Sequence, residues 1–269
     1  MRFIPDDLDS EIVGAIGNLL AGVAADDAVA IPWAIESGSR AWGFPSPDSD
    51  YDCRFLFVRS SDDYLTPWPK RDVIETPLDE IFDVNGWDLI KAIKLLLKGN
   101  AVIVEWLTSP IIYSGDALFR DDLLALASRV SNRALTGRHY LHVGRQKWVS
   151  GSAAMPIKKI FYSLRPAAAL RWLRLNPELP LPPMNLSQLM LESDVPADVA
   201  EQTEVLIAAK ALTRELGTGT IHPSLARFID HEYDLAHELY EHADGRVNEQ
   251  HKRIAADTFR RMIATYGPN

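Results

Sequence analysis

The sequence predicts an α+β fold, a mixed α/β N-terminal half followed by an all-helical half. Three observations predict it. Two apolar runs, Ala28–Ile35 and Asp52–Val58, flank a Gly38-Ser39 turn and the carboxylates Asp50 and Asp52. Shorter apolar runs at Asp72–Thr76 and Ile81–Val84 supply further strands. From about Asp121 onward, apolar residues recur at helical spacing. The expected boundary lies near residue 118, which divides the chain into residues 1–118 and 119–269.

The elements follow in order. Asp9 and Ser10 are candidate caps for a first helix running to about Ala24, with Ile12, Val13, Ile16, Leu19, Leu20 and Val23 at helical spacing. Ala28–Ile35 reads as a buried strand despite Pro32. Gly38-Ser39 starts a turn leading into one short helical turn, and Pro45 and Pro47 keep the next segment extended. After the second strand comes a loop with Pro67 and Pro69, then the two short strands, then Gly86 as punctuation. Asp88 starts a helix with Leu89, Ile90, Ile93, Leu96 and Leu97 on one face, ended by Gly99-Asn100. Val102–Leu107 is ambiguous between strand and helix, and Ile111–Tyr113 fits a short edge strand. The helical half reads as 121–149, 156–175, 196–216, 223–243 and 246–266, with a proline-rich connection over 176–186. The third of these segments is expected to end at Gly217 and Gly219.

Composition narrows the classes. No apolar run is long enough to span a bilayer, so no membrane partner is expected. The N-terminus lacks the basic-then-apolar pattern of a signal peptide, and Cys53 is the single cysteine, so a cytoplasmic location is expected. The net charge of -9 argues against a protein that coats nucleic acid. Yet Leu123–Pro177 contains no Asp or Glu and holds Arg129, Arg133, Arg138, Arg145, Lys147, Lys158, Lys159, Arg165, Arg171 and Arg174. That contrast points to a local phosphate site; the competing reading is a solvated helical face balanced by acidic neighbours.

The chemistry concentrates between Gly38 and Asp52. Period-two geometry puts Asp50 and Asp52 on one face of a strand. Paired carboxylates repel unless a cation sits between them, and a hard oxygen-ligand site for magnesium is the economical explanation. Gly38 and Gly43 do not make a dinucleotide fingerprint, there is no Gly-Lys-Ser/Thr of a P-loop, and Cys53 stands where an EF-hand loop from Asp48 needs glycine. An Asp-x-Asp metal site of a glycosyltransferase stays open, although it needs no Gly-Ser turn.

An apolar strand, Gly-Ser, a spacer of about ten residues and Asp-x-Asp resembles the DNA polymerase beta superfamily of nucleotidyltransferases. The likeness extends through Glu36-Ser37-Gly38-Ser39-Arg40-Ala41-Trp42-Gly43, Gly86-Trp87-Asp88-Leu89, Leu95–Asn100, Glu105–Pro110, Lys158–Pro166 and Pro182-Pro183-Met184. It is closest to a predicted bacterial and phage nucleotidyltransferase family associated with RNA-repair ligases. The resemblance implies a palm domain with a small mixed sheet, closed by the helical part. It implies transfer of a nucleoside monophosphate from a nucleoside triphosphate such as ATP to an acceptor hydroxyl, with pyrophosphate release and dependence on magnesium, or manganese in its place. Asp50 and Asp52 then bind metal, and Gly38 and Ser39 hold the triphosphate. A third carboxylate completes the metal site and helps deprotonate the attacking hydroxyl. The candidates are Glu75, Asp79, Asp83 and Glu105; Asp83 is preferred, since Ile81-Phe82-Asp83-Val84 buries a charge in a strand, and Glu75 is second.

Other residues carry weaker signals. Lys158, Tyr162 and Arg165 share a helical face at i, i+4 and i+7, a candidate nucleotide-binding face whose competitor is plain solvation. Arg40 is read as a phosphate contact, with pairing to Glu36 as the competitor. His139 and His142 are read as packing or phosphate contacts, and His237 with Glu241 as a helix-surface pair. Trp42, Trp87 and Trp106 are expected in the core, with base stacking open for Trp42. Cys53 should point away from Asp52 and be inert. An RNA end is the acceptor that fits the basic middle; a protein hydroxyl or small molecule fits the acidic remainder. The other class is a catalytically silent nucleic-acid-binding or regulatory protein with the same fold.

Overall fold

The structure, a computed structural model, describes residues 1–77, 81–179, 181–212 and 217–268. The first helix, α1 (Ser10–Asp26), starts where the Asp9 carboxylate accepts from the Glu11 N–H, satisfying one of the donors that a helix start leaves free. Then come β1 (Ala30–Glu36), α2 (Gly38–Trp42), β2 (Tyr51–Val58), α3 (Ser61–Tyr64), β3 (Val73–Glu75) and β4 (Phe82–Asp88). The helices α4 (Leu89–Leu97) and α5 (Ala101–Leu107) lead to β5 (Ile112–Gly115).

These strands form one sheet in the order β3-β4-β2-β1-β5. The β2–β4 pair is parallel and the others are antiparallel. Alternation along β2 sorts its side chains between the two faces. Tyr51, Cys53, Phe55 and Phe57 pack with Val13, Ile16 and Leu20 of α1. Leu56 and Val58 pack on the other face with α4 and α5. Asp52 and Arg54 continue that second face toward the N-terminal end of β2, beyond the apolar cover.

Several expectations near the sheet are corrected. Gly86 does not punctuate; it lies inside β4, where the Phe55 ring occupies the space a Cβ would need. Asp88 stands as expected at the start of α4, its carboxylate accepting from the Ile90 N–H. Gly99, with φ +71°, turns the chain after α4. Asn100 then accepts from the Val102 N–H at 2.9 Å, so the ambiguous run after it is a helix.

The remainder contains α6 (Ala117–Val130), α7 (Arg133–Arg145), β6 (Ala154–Pro156), α8 (Ile157–Leu175), α9 (Leu186–Glu192), α10 (Ala197–Leu212), β7 (Thr218–Thr220), α11 (Pro223–Tyr240) and α12 (Glu249–Tyr266). The expected long segment 121–149 is two helices, because Asn132 caps α7 by accepting from the Ala134 N–H. This half is helical but not purely so: β6 and β7 pair, and Gly219 lies in β7.

Besides the cluster between the sheet and α1, two apolar clusters organise the packing. One joins α7, α8 and α11 and takes in Phe44, which stacks on Phe161 at 4.4 Å between ring centroids. The other covers the second sheet face and draws in Phe119, Leu123 and Leu126 of α6 and Ala255 and Met262 of α12. Apolar packing therefore runs across the expected boundary near residue 118, and the last helix returns to the sheet.

Candidate active site

β1 ends at Glu36, and Gly38 starts α2 with φ +58°, a conformation that favours glycine. A second reason for glycine is packing: a Cβ at 38 would run into the Asp52 carboxylate. The Ser37 N–H donates to the Asp52 carbonyl at 2.8 Å, so turn and strand are fastened together. Gly43, with φ +89°, closes α2 and faces Asn185, so the segment is anchored on the helical half as well.

The loop bearing Asp50 is braced from α2. The Ser39 hydroxyl donates to the Ser49 hydroxyl at 2.9 Å, and the Ser46 N–H donates to the same oxygen at 2.8 Å. Arg40 donates to the Ser49 carbonyl at 2.6 Å and to the Asp50 carbonyl at 3.3 Å, and its guanidinium lies 3.9 Å from the Tyr51 ring centroid. The structure thus commits Arg40 to the loop carbonyls rather than to an ion pair with Glu36. Ser39 spends its hydroxyl on the same loop.

Asp52 and Asp83 are register partners on the parallel strands β2 and β4. One Arg54 nitrogen, Nη2, bridges them at 2.9 Å from Asp52 Oδ1 and 2.7 Å from Asp83 Oδ2. Arg54 also donates to the Asp83 carbonyl at 2.6 Å and the Cys53 carbonyl at 3.0 Å. Asn85 donates to the other Asp83 oxygen at 3.1 Å. Burial raises the Asp52 carboxyl above its ordinary range; Arg54 opposes this, while the charges of Asp83 and Asp50 add to it. Asp50 itself is exposed and precedes β2, so it stands on the loop and not on the strand face expected for it. Three carboxylates therefore share one electrostatic neighbourhood.

Behind Asp52 lies a group that the sequence reading did not single out. Glu36 is fully buried and accepts from the Asp52 N–H at 3.0 Å and the Tyr113 hydroxyl at 2.6 Å. Burial pushes its carboxyl up to about 7 against the pull of those hydrogen bonds. Arg54 was also missed as a site residue, although its place two residues after Asp52 puts it on the same strand face. For Glu36 the signal was a charge at the end of a buried strand.

The other candidates for a third carboxylate are engaged elsewhere. Glu75 is exposed on β3 and pairs with Arg71 at 2.6 Å. Glu105 is buried in α5, pairs with Arg165 at 2.6 Å and accepts from the Tyr140 hydroxyl at 2.9 Å. Asp79 lies outside the described residues.

The expected helical face of α8 divides. Lys158 is exposed, Tyr162 is half-buried, and Arg165 is buried in its pair with Glu105. Trp42 sits between them: the Arg165 guanidinium lies 4.1 Å from its ring centroid, and Tyr162 meets it edge-on at 5.2 Å. Lys158 is near enough to Asp52 to act on its charge, and Tyr162 feels both Asp52 and Asp50. The structure therefore brings Lys158 and Tyr162 to the aspartates and places Arg165 behind Trp42.

The basic stretch is mostly spent internally. Arg133 and Arg138 donate to backbone carbonyls, Arg145 pairs with Asp234, and Arg171 and Arg174 hold the buried Glu232. Lys158 and Lys159 make no ion pair with a described residue. His139 is half-buried, and its desolvation lowers its basicity, whereas His142 and His237 both meet Glu241. Trp106 is buried in the core and the half-buried Trp87 stacks on it at 4.0 Å, and Cys53 is buried on the face opposite Asp52, its thiol pushed up by burial.

Whether this site fits a divalent cation can be tested on its donors. Asp50, Asp52 and Asp83 offer hard carboxylate oxygens, and neither histidine nor the Cys53 thiol joins them, which suits magnesium or manganese rather than zinc. Among the described residues, no three such side chains form a ready-made ion cage. Arg54 supplies the positive charge between Asp52 and Asp83 in this state. The oxygen donors are of the type such a cation takes, and a cation shared by Asp52 and Asp83 would require the Arg54 bridge to adjust.

Comparison with known proteins covers the part of the chain that holds this site. The sequence model of the family described as RlaP, RNA repair pathway DNA polymerase beta family, matches residues 14–261. A curated relative from Bacillus subtilis (strain 168), the uncharacterized protein YcgL, is 33% identical over 232 residues, covering 85% of this chain and 84% of the relative.

Proposed function

The chain belongs to the RNA repair pathway DNA polymerase beta family, and from that premise we propose that it transfers a nucleoside monophosphate from a nucleoside triphosphate to an acceptor hydroxyl. The α-phosphorus gains a bond to the acceptor oxygen, loses its bond to the bridging oxygen, and pyrophosphate leaves. Family membership supports the nucleotidyltransferase class; the reaction details are our reading of the site.

One observation carries the reading. Asp52 and Asp83 stand in register on parallel strands, with Asp50 on the preceding loop and Gly38 pressed against Asp52. Carboxylates are gathered there at a chain turn that lets a phosphate approach the backbone. Asp50, Asp52 and Asp83 would hold magnesium, which when bound neutralises phosphate charge and favours loss of the acceptor proton. Glu36 fixes Asp52 through its backbone N–H. Arg40, Ser39 and Ser49 fix the loop carrying Asp50. Lys158 faces the aspartates as an anion contact, and Tyr162 offers a ring and hydroxyl for base or sugar. To Asp83, the more exposed member of the Arg54-bridged pair, we assign the role of accepting the acceptor's proton. The family's description supports an RNA end as acceptor; the internal pairing of most of the basic stretch supports a protein or small-molecule hydroxyl.

A second reading has its own observation. The Arg54 bridge occupies Asp52 and Asp83 and offsets part of their charge, which suits a catalytically silent protein that binds nucleotide or nucleic acid. Pyrophosphate release with each nucleoside triphosphate, magnesium or manganese, and RNA of defined ends decides between them. Asp50→Asn and Asp52→Asn should each abolish release. Release that is unaffected by both would remove the metal assignment.

A further inference from the structure

Lys210, in the last turn of α10, is a lysine in the wrong surroundings. It is 5% exposed and makes no hydrogen bond or ion pair with a described residue. Its ammonium lies 4.8 Å from the Phe44 ring centroid and 5.4 Å from that of Phe161, the two rings that stack on each other. The ring faces offer some attraction for a cation, but less than water or a carboxylate would. Burial and the charge of Lys158 both lower its basicity, to about 8, with Asp48 pulling the other way. An apolar side chain of similar length would sit over Phe44 and Phe161 at less cost to the fold.

The position of Lys210 suggests what relieves this cost. Phe44 closes the segment that begins at Gly38, and the loop from 45 to 50 delivers Asp50. Asp48 on that loop acts on Lys210, Lys158 acts on Lys210, and Lys158 also acts on Asp52. Three chain segments far apart in sequence thus bring two like charges together beside the aspartates. An anion of high charge lying between the two ammonium groups would remove their repulsion and give Lys210 a partner.

We infer that Lys158 and Lys210 together form a seat for the polyphosphate of the nucleotide. This rests on the nucleotidyltransferase reading and names the residues that hold the leaving group's charge. A polyphosphate is favoured over RNA because its terminal phosphate is a free end that can approach a buried lysine, whereas a backbone phosphodiester is flanked by a nucleoside on each side. The higher charge of a terminal phosphate also compensates better for stripping water from an ammonium.

The test uses the full chain and calorimetric titration with inorganic tripolyphosphate, with ATP and with a short single-stranded RNA. Lys210→Met should weaken tripolyphosphate and ATP about tenfold or more, the usual size of a lost charge-assisted hydrogen bond. RNA binding should be unchanged, and the ligand-free thermal midpoint should hold or rise. Lys158→Met, at an exposed position, should weaken the same two ligands, and the double variant should lose less than the sum of the two effects. Unchanged tripolyphosphate and ATP affinity in Lys210→Met overturns the seat, as does weakening confined to RNA. Tripolyphosphate affinity that depends on Lys210, with no pyrophosphate release from any acceptor, supports the seat and retires the catalytic reading. Normal release with affinities indifferent to Lys210 retires the seat alone.

Discussion

Gly38 and Asp52 meet: the Asp52 carboxylate fills the space where any side chain at position 38 would begin. Gly38→Ala therefore carries two penalties. One is the left-handed backbone at φ +58°, worth about 1–2 kcal/mol. The other is displacement of Asp52. Pyrophosphate release should fall by at least about tenfold while circular dichroism stays native-like and the thermal midpoint drops by a few degrees. Full activity in Gly38→Ala would show that the turn is not part of the site.

Arg54 holds Asp52 and Asp83 together in the ligand-free chain. Arg54→Met leaves two partly buried carboxylates facing each other, a cost of about 1–3 kcal/mol for an unsatisfied group. The ligand-free thermal midpoint should fall. Added magnesium should then raise the midpoint of Arg54→Met more than that of the unsubstituted chain, because the cation restores the missing charge. Equal magnesium responses in the two proteins would contradict a shared place for Arg54 and the metal.

Arg165 and Glu105 form a buried pair, with side chains 7% and 4% exposed. Arg165→Met strands the Glu105 carboxylate and should cost about 3–5 kcal/mol, read as a shift in the denaturant midpoint. Arg165→Met with Glu105→Leu should recover a large part of that loss. ATP affinity in the paired variant should stay within a few-fold of the parent, since Arg165 lies behind Trp42. Loss of ATP binding in the stable double variant would return Arg165 to the nucleotide site.

Burial, with the charge of Lys158, brings the Lys210 ammonium down to about 8 from the ordinary lysine value of 10.5. Between those values the unfolded chain binds more protons than the folded one, so stability should rise with pH across this window. Below about pH 8 the lysine is charged in both states and its full penalty is present. The gain from pH 8 to 10.5, taken as the difference between the parent and Lys210→Met, should be at most about 3 kcal/mol. Parallel stability curves for the two proteins would mean that Lys210 is not desolvated.

The sequence by itself determined the parts whose signals are local. Asp52 lies on the sheet face its spacing implies, although Asp50 stands on the loop before the strand, Gly38 is glycine for a reason visible in its turn, and Asp83 sits as a charge in a strand. Caps at Asp9 and Asp88 marked helix starts because a short acceptor side chain does this work within three residues. Tertiary structure decided the parts that depend on distance. Glu75 and Asp83 look alike as charges in short strands, but only β4 pairs with β2. Lys158 and Arg165 share a helical period, yet Trp42 and Glu105 come from elsewhere to bury one and leave the other facing Asp52. Lys210 carried no local sign at all: its meaning arises from Phe44, Phe161 and Lys158, which only the folded chain assembles around it. Backbone geometry writes its requirements into neighbouring residues, whereas burial and charge pairing are properties of contacts between residues far apart in the chain.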